Sequence, residues 1–407
     1  MPLADPGPLI HELAAALPER PFRVTFWDGT ELPATTSADN GGGPVFAVRS
    51  PRAVGHALRA PGQLGIGRAY VAGDLEVDDL DRLIDLLETW EPPRLTGAAR
   101  SRLALGALRA AGIQRPPAPP RAELAPRGKR HSIGRDARAV RHHYDLPAAF
   151  FALFLDTSMT YSCAVWSDDP DETLEVAQER KLELVCTKLG LAPGMRVLDV
   201  GCGWGSFATH AAARHGVSVV GITLSAPQAE RARRRAAEAG VSDRVEIRVA
   251  DYRELADEPF DAVASIGMVE HVGEASIDAY AETLARMVRP GGRILNHGIA
   301  LLRHGDEGAG PFSERYVFPD AEPLHLSRVL YAFERAGMQT EGIEGFREHY
   351  DRTLGQWSAR LDAHQEQALE LAGAERLRVW RLYLRSAQSG FRTGFTSIYQ
   401  VKLVRPR

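Results

Sequence analysis

Cysteine is scarce in this chain. Cys163, Cys186 and Cys202 are its only three, and no Cys-x-x-Cys pair occurs among its 407 residues. That excludes a disulfide framework and predicts a reduced, cytoplasmic setting. No apolar run approaches the ~20 residues that span a bilayer. Met1-Pro-Leu-Ala-Asp-Pro6 has neither the basic start nor the apolar core of a signal peptide. His-Glu-x-x-His and paired-cysteine spacings are missing, so no metal site is expected. Gly-x-Gly-x-x-Gly and Gly-Lys-Ser/Thr are absent too, which excludes the dinucleotide fingerprint and the phosphate loop. With a net charge of −4 the chain is no polycation, and an anionic partner has to be met by a local patch. What remains is an ordinary globular mixture, 44% hydrophobic and 25% charged, long enough for two or three domains.

The chain is organised around Val197-Leu-Asp-Val-Gly-Cys-Gly-Trp-Gly205. A buried parallel strand meets an acid, Asp199, then turns through Gly201, Gly203 and Gly205 into a helix from Ser206. Such a turn in an open α/β sheet binds nucleotide-like ligands, because side chains there would block the backbone N–H groups. Further strands follow at Val217–Thr223, Arg244–Val249 and Phe260–Gly267, with Pro290-Gly-Gly292 turning into a fifth and Ile398–Val404 closing the sheet. The spacing resembles motif I of the class I S-adenosylmethionine-dependent methyltransferases. The resemblance implies an α/β, Rossmann-like mixed sheet with helices on both faces.

Upstream, Leu9, Ile10, Leu13 and Leu17 recur at helical spacing, and strands are expected at Phe22–Thr30 and Val45–Arg49. Residues 1–95 read as a small α+β domain, 96–135 as a basic Pro-rich linker, and 136–407 as the methyltransferase domain. A mostly helical insertion covers about 301–394. From Arg100 to Arg141 there are eleven Arg or Lys against Glu123 and Asp136 alone. This reads as a solvated strap, each cation adding ~1 kcal/mol near an anionic membrane surface. Nucleic acid is the poorer partner, since no aromatics interleave for base stacking.

At His143-Tyr-Asp145, Tyr161-Ser-Cys-Ala164, Gly221-Ile-Thr-Leu-Ser225 and Gly267-Met-Val-Glu-His-Val-Gly273 the chain resembles the cyclopropane-fatty-acyl-phospholipid synthase family, which includes the mycolic acid cyclopropane synthases. The resemblance covers roughly residues 130–407. It implies transfer of a methylene from S-adenosylmethionine to a cis double bond of a phospholipid acyl chain, by a peripheral, cytoplasmic enzyme without nucleic-acid partners. A homodimer is implied by the likeness to the longer enzymes. A methylene- or methyl-branched product and a small-molecule C-, N- or O-methyltransferase stand as alternatives. Residue by residue, the resemblance puts Tyr144, Cys163, Glu270, His297 and Tyr350 in the catalytic pocket, around a bicarbonate ion. It puts Tyr161, Ser162, Asp199, Gly201, Gly203, Gly205, Thr223, Leu224, Gln228, Asp251, Tyr252 and Ile266 at the cofactor. Gln228 stands where an acid usually binds the ribose. His142, His143 and His271 are left as structural or solvent-facing.

Overall fold

The computed structural model describes residues 4–36, 42–112, 115–124, 128–144, 146–305 and 310–407, with residues 137 and 140–144 as backbone only. It divides into two compact units, each built on one sheet.

The smaller unit comprises Met1–Ala125, Ala309–Val317 and Ala372–Ser389. Its sheet has the order β2-β1-β3-β4, formed by β1 (Arg23–Thr25), β2 (Glu31–Leu32), β3 (Val45–Val48) and β4 (Leu75–Val77). An Asp28-Gly29 turn joins β1 to β2, with Asp28 Oδ1 accepting from the Thr30 amide at 3.0 Å. Helices Gly7–Ala16, Pro51–Arg59, Gln63–Ala72 and Leu80–Thr89 accompany the sheet.

The linker expected at 96–135 is not one. Residues Gly97–Ala111 form a helix with Thr96 as its N-cap, and Ala110 is fully buried. Gly106 and Ala110 lie at helical spacing on one face. A Cβ on Gly106 would stand 3.1 Å from the Pro8 carbonyl oxygen, so glycine permits close approach to the helix Gly7–Ala16. The arginines occupy the other faces, and that is why composition alone suggested a solvated strap. The Pro-rich stretch packs too: Arg59 Nη1 donates to the Pro117 carbonyl at 2.8 Å. The boundary therefore falls near residue 125 instead of 95. Nor is 301–394 a single insertion. Ala309–Val317 and Ala372–Ser389 belong to the smaller unit, and the helical stretch Gln365–Arg392 breaks at Gly373, φ +74°.

The larger unit comprises Pro126–Gly308, Phe318–Leu371 and Gly390–Arg407. Its strands are β5 (Arg196–Val200), β6 (Ser218–Thr223), β7 (Val245–Val249), β8 (Phe260–Ile266), β9 (Val288–Leu301), β10 (Gln339–Gly345) and β11 (Thr396–Val404). The order is β10-β11-β9-β8-β5-β6-β7, parallel from β7 to β9, with β11 antiparallel to both β9 and β10. This is the α/β, Rossmann-like mixed sheet that the sequence predicts. Two apolar cores cover its two faces, which explains why the central strands read as unbroken apolar runs. Leu198, Val263, Ile294 and Tyr280 belong to one core, while Val197, Ala262, Leu295, Phe207 and Cys186 belong to the other. Two local readings differ. Pro290-Gly-Gly292 lies inside β9 beside a register shift against β8, instead of forming a turn before the strand. The region after Leu301 also contributes a strand, β10. Among the described residues no helix is long and apolar enough to cross a membrane.

Glu123, one of the two acids in the basic stretch, is buried in the smaller unit. It accepts two hydrogen bonds from Arg68, at 2.7 and 2.6 Å, and a third from the Tyr316 hydroxyl at 3.1 Å. Burial pushes its carboxyl pKa up, but the Arg68 guanidinium outweighs that and holds it below the ordinary value. Glu123→Ala leaves a guanidinium buried without its partner and is expected to cost about 3–5 kcal/mol in denaturant unfolding. In the wild type the contribution is full above the ordinary carboxyl pKa and is lost as pH falls through the depressed folded value. Unfolding of wild type and Glu123→Ala at neutral and acid pH checks both statements.

Candidate active site

At the carboxyl edge of β5 the chain turns through Gly201, Gly203 and Gly205 with φ of +80°, +52° and +80°. That left-handed region disfavours any residue with a Cβ. A Cβ on Gly205 would meet Ala232 Cβ at 2.8 Å, whereas one on Gly203 would enter open space. The space is a pocket walled by Val200, Gly201, Gly203, Ile222, Thr223, Leu224, Gln228, Ala250, Asp251, Tyr252, Gly267 and Met268, with Asp136, Ala139, His271, Phe318, Pro319 and Asp320 completing it. Seven residues expected at the cofactor are in this wall: Gly201, Gly203, Thr223, Leu224, Gln228, Asp251 and Tyr252. Tyr161, Ser162, Asp199, Gly205 and Ile266 are not.

The polar groups of the pocket are already oriented. Thr223 Oγ1 donates to Gln228 Oε1 at 2.7 Å, leaving the amide N–H groups of Gln228 for a ligand oxygen such as a ribose hydroxyl. Both oxygens of Asp251 are engaged by Arg253, which also reaches Asp136 at 2.9 Å. His271 belongs to the pocket wall, 5.3 Å from the Phe318 ring, and is not a solvent histidine. Burial, with His131 nearby, pulls its pKa down to about 4, so it is neutral at ordinary pH. Behind the turn, Asp199 is 2% exposed, and its Oδ2 has no hydrogen-bond partner among the described residues. Burial pushes its pKa up to about 7 against the pull of Lys181. An unpartnered buried carboxylate oxygen at the end of β5, next to an open glycine cradle, fits the ammonium group of an amino-acid-bearing nucleoside such as S-adenosylmethionine. Lys181, buried on the helix Leu174–Leu189, donates to Ser162 Oγ at 2.7 Å.

The expected catalytic residues lie outside that wall. Three converge on Phe346. Cys163 Sγ is 3.7 Å from the Phe346 carbonyl oxygen, the Tyr350 amide donates to the same oxygen at 3.0 Å, and the His297 ring stacks on the Phe346 ring at 6.0 Å. Burial raises the Cys163 thiol far above its ordinary pKa, so it is no thiolate nucleophile. Glu270 stands beyond the end of β8. Its Oε2 lies 3.3 Å from where a Cβ on Gly298, the residue after His297, would be. The Tyr144 side chain lies outside the described residues. Aromatic rings crowd this region, with Tyr161 stacked on Trp357 at 5.2 Å, and Phe151 tilted against Trp204 at 4.8 Å and Tyr350 against Phe391 at 4.6 Å.

The polar atoms buried here without a partner among the described residues include Glu270 Oε2, His297 Nε2 and Trp357 Nε1, of which the first two belong to ionisable groups. Their protonation follows from their neighbours. Gln400, 1% exposed, accepts from Lys188 Nζ through Oε1 at 2.6 Å. An ammonium can only donate, so the Gln400 amide must turn its Nε2 toward His297 Nδ1, 3.0 Å away. His297 Nδ1 is then an acceptor. Burial, with Lys181 and Lys188 nearby, holds His297 well below its ordinary pKa and keeps it neutral. Its single proton therefore sits on Nε2, the unpartnered atom. Lys188 and Gln400 were missed by sequence reasoning; alternation along β11 could flag Gln400 as inward-facing, but nothing in the sequence pairs it with His297. Glu270 is the complementary orphan, an acceptor whose pKa burial pushes up to about 7, opposed by its own backbone N–H and that of Ile299.

Comparison with known proteins follows the same lines. Residues 131–401 match the family model of mycolic acid cyclopropane synthetase. A probable fatty acid methyltransferase of Mycobacterium tuberculosis is 37% identical over 96% of this chain and 93% of its own length. The cyclopropane-fatty-acyl-phospholipid synthase of Escherichia coli K12 is 33% identical over 89% of each chain. Among solved structures, mycolic acid cyclopropane synthase CmaA1 complexed with SAH and CTAB is 34% identical with a TM-score of 0.62, covering 66% of this chain and 98% of its own.

Gln400→Leu removes the donor that fixes the His297 tautomer. Turnover is expected to fall on the order of 100-fold, the scale of a misplaced catalytic group, with cofactor affinity unchanged. Cofactor titration beside single-turnover kinetics separates this from a general loss of structure, which would weaken both.

Proposed function

This chain belongs to the mycolic acid cyclopropane synthetase family and is an S-adenosylmethionine-dependent methyltransferase, and from that premise we propose that it converts a cis double bond in a phospholipid acyl chain to a cyclopropane. The observation that carries the reading is the pair of buried orphans, a donor at His297 Nε2 and an acceptor at Glu270 Oε2. An anion bearing one O–H satisfies both, and bicarbonate is the small base that does so.

Bound S-adenosylmethionine would supply an electrophilic methyl group, its S–CH3 bond breaking to leave S-adenosylhomocysteine. An alkene that accepts the methyl becomes a carbocation, and ring closure needs a proton removed from the new methyl. Bicarbonate supplies that base. In this reading the His297 Nε2–H and the Tyr350 hydroxyl donate to it, the Cys163 backbone N–H helps hold it, and Glu270 accepts its O–H. The family resemblance gives Tyr144, whose side chain lies outside the described residues, the role of stabilising the cation, to which an aromatic ring contributes ~0.5–2 kcal/mol. Tyr161, Ser162, Asp199 and the glycine turn hold the cofactor's amino-acid end, Thr223, Leu224 and Gln228 the ribose side, and Asp251 and Tyr252 the adenine side, with Ile266 also assigned to the cofactor. The ring-lined surroundings of Trp204, Trp357 and Phe391 support a dry, cation-tolerant site.

The enzyme meets its substrate from the membrane surface, as a cytoplasmic peripheral protein and a homodimer. Support for the lipid surface comes from the helix Gly97–Ala111, which exposes Leu105 (49%) and Leu108 (58%) beside exposed Arg100 and Arg109. Apolar anchors flanked by cations suit an anionic bilayer. A methyl- or methylene-branched product is the second reading. It is favoured by the 37% identity to a protein described as a probable fatty acid methyltransferase.

Oleoyl-phospholipid vesicles incubated with the enzyme and methyl-labelled S-adenosylmethionine test the proposal by mass spectrometry of the fatty acids. A labelled cyclopropane chain is expected. A labelled branch replaces ring closure by the second reading, and no labelled lipid despite intact cofactor binding overturns the lipid substrate. Because ionised Glu270 is the acceptor that orients the anion's O–H, turnover is expected to rise with pH through about 7. Glu270→Gln should remove that inflection and lower turnover about 100-fold or more while leaving the cofactor dissociation constant in place. An unchanged pH profile sinks the assigned role.

A further inference from the structure

Away from the pocket, two helices of the larger unit bring together a group that no local spacing announces. Cys186 lies on the helix Leu174–Leu189; His210 and His215 lie on the helix Ser206–His215. One ligand atom from each, the thiol sulfur and a ring nitrogen per histidine, lies within 4.8 Å of the other two. Glu183, three residues before Cys186 and so on the same helix face, borders the cluster on the histidine side. Its Oε2 stands 3.2 Å from His210 Nε2 and 3.1 Å from His215 Nε2. Cys186 is fully buried, whereas the side chains of His210, His215 and Glu183 are 11%, 20% and 50% exposed, so an ion has access from solvent.

We propose that Glu183, Cys186, His210 and His215 form a zinc site. One thiolate, two imidazoles and one carboxylate are a donor set that suits tetrahedral Zn2+. Bond lengths of ~2.3 Å to sulfur and ~2.0 Å to nitrogen put such donors ~3.6 Å apart in a tetrahedron. Binding replaces the S–H bond of Cys186 with an S–Zn bond and releases its proton to solvent, while the histidines bind neutral. The alternative is that Glu183 serves only as a shared acceptor for two imidazole N–H groups. That account leaves the thiol beside them without a purpose beyond packing.

The site has a structural consequence. The helix Ser206–His215 starts at Gly205, the last glycine of the cofactor turn, and the helix Leu174–Leu189 precedes β5. Zinc clamps one to the other and stabilises the folded chain by mass action, so that thermal stability rises with free zinc.

The test uses the full-length protein stripped of metal and titrated with Co2+, then with Zn2+ in competition. One equivalent of Co2+ per chain is expected, with a sulfur-to-cobalt charge-transfer band in the near ultraviolet that zinc abolishes. Cys186→Ser, which preserves packing volume, should lose the band. Loss of an orienting partner alone weakens metal sites about 10–100-fold, so loss of a ligand in His210→Gln should raise the zinc dissociation constant at least that much. Both variants should retain wild-type circular dichroism when metal-free, and zinc should raise the melting temperature of the wild type alone. A band that persists in Cys186→Ser overturns the proposal. So does wild-type zinc binding no tighter than that of His210→Gln, or the absence of any stoichiometric binding.

Discussion

Inter-strand hydrogen bonding between β5, β8 and β9 runs out at Val200, Ile266 and His297, and the candidate site is built from what is left over there. A parallel sheet must stop pairing somewhere, and the last residues of its strands carry groups that the sheet no longer satisfies. Asp199 is one residue from the end of β5, Glu270 four past the end of β8, and His297 at the last pair of β9 with β8. Each is buried, and each keeps one polar atom without a partner among the described residues. Leaving such atoms unpaired costs about 1–3 kcal/mol each. A fold that carries three of them along one sheet edge is spending stability on ligand recognition.

The same burial decides which groups are charged. Water is excluded around His297, so it stays neutral, and the single proton goes where the Lys188–Gln400 relay sends it. Glu270 and Asp199 are pushed up to about 7, close to the pH at which a carboxylate exchanges protons readily. Cys163 goes the other way from a reactive thiol for the same reason. One cause, desolvation, sets all four, and the differences come from which donor or cation stands nearby.

The smaller unit shows charge read differently by composition and by packing. Eleven cations between Arg100 and Arg141 suggested a solvated strap. Yet Gly106 and Ala110 form a packing face, and Glu123 is buried against Arg68 and Tyr316. A count of charges cannot tell which side of a helix they occupy. The outward arginines and the exposed Leu105 and Leu108 still leave a cationic, partly apolar face.

The strand periodicity, the glycine turn at Gly201–Gly205 and the order of landmarks belong to the sequence, because they depend on local chain geometry. A left-handed turn needs glycine wherever it occurs, and a doubly covered parallel strand needs an unbroken apolar run. The positions of Gly201, Gly203, Thr223, Leu224, Gln228, Asp251 and Tyr252 around one pocket follow from that local order. Tertiary structure alone decided the rest. Gln400 reaches His297 across 103 residues of chain, Phe346 gathers Cys163 and His297, and His271 turns into the pocket instead of to solvent. Cys186, His210 and His215 met only when two helices packed. Such partners are set by the register of strands and by the faces on which helices settle, and those depend on the whole core at once.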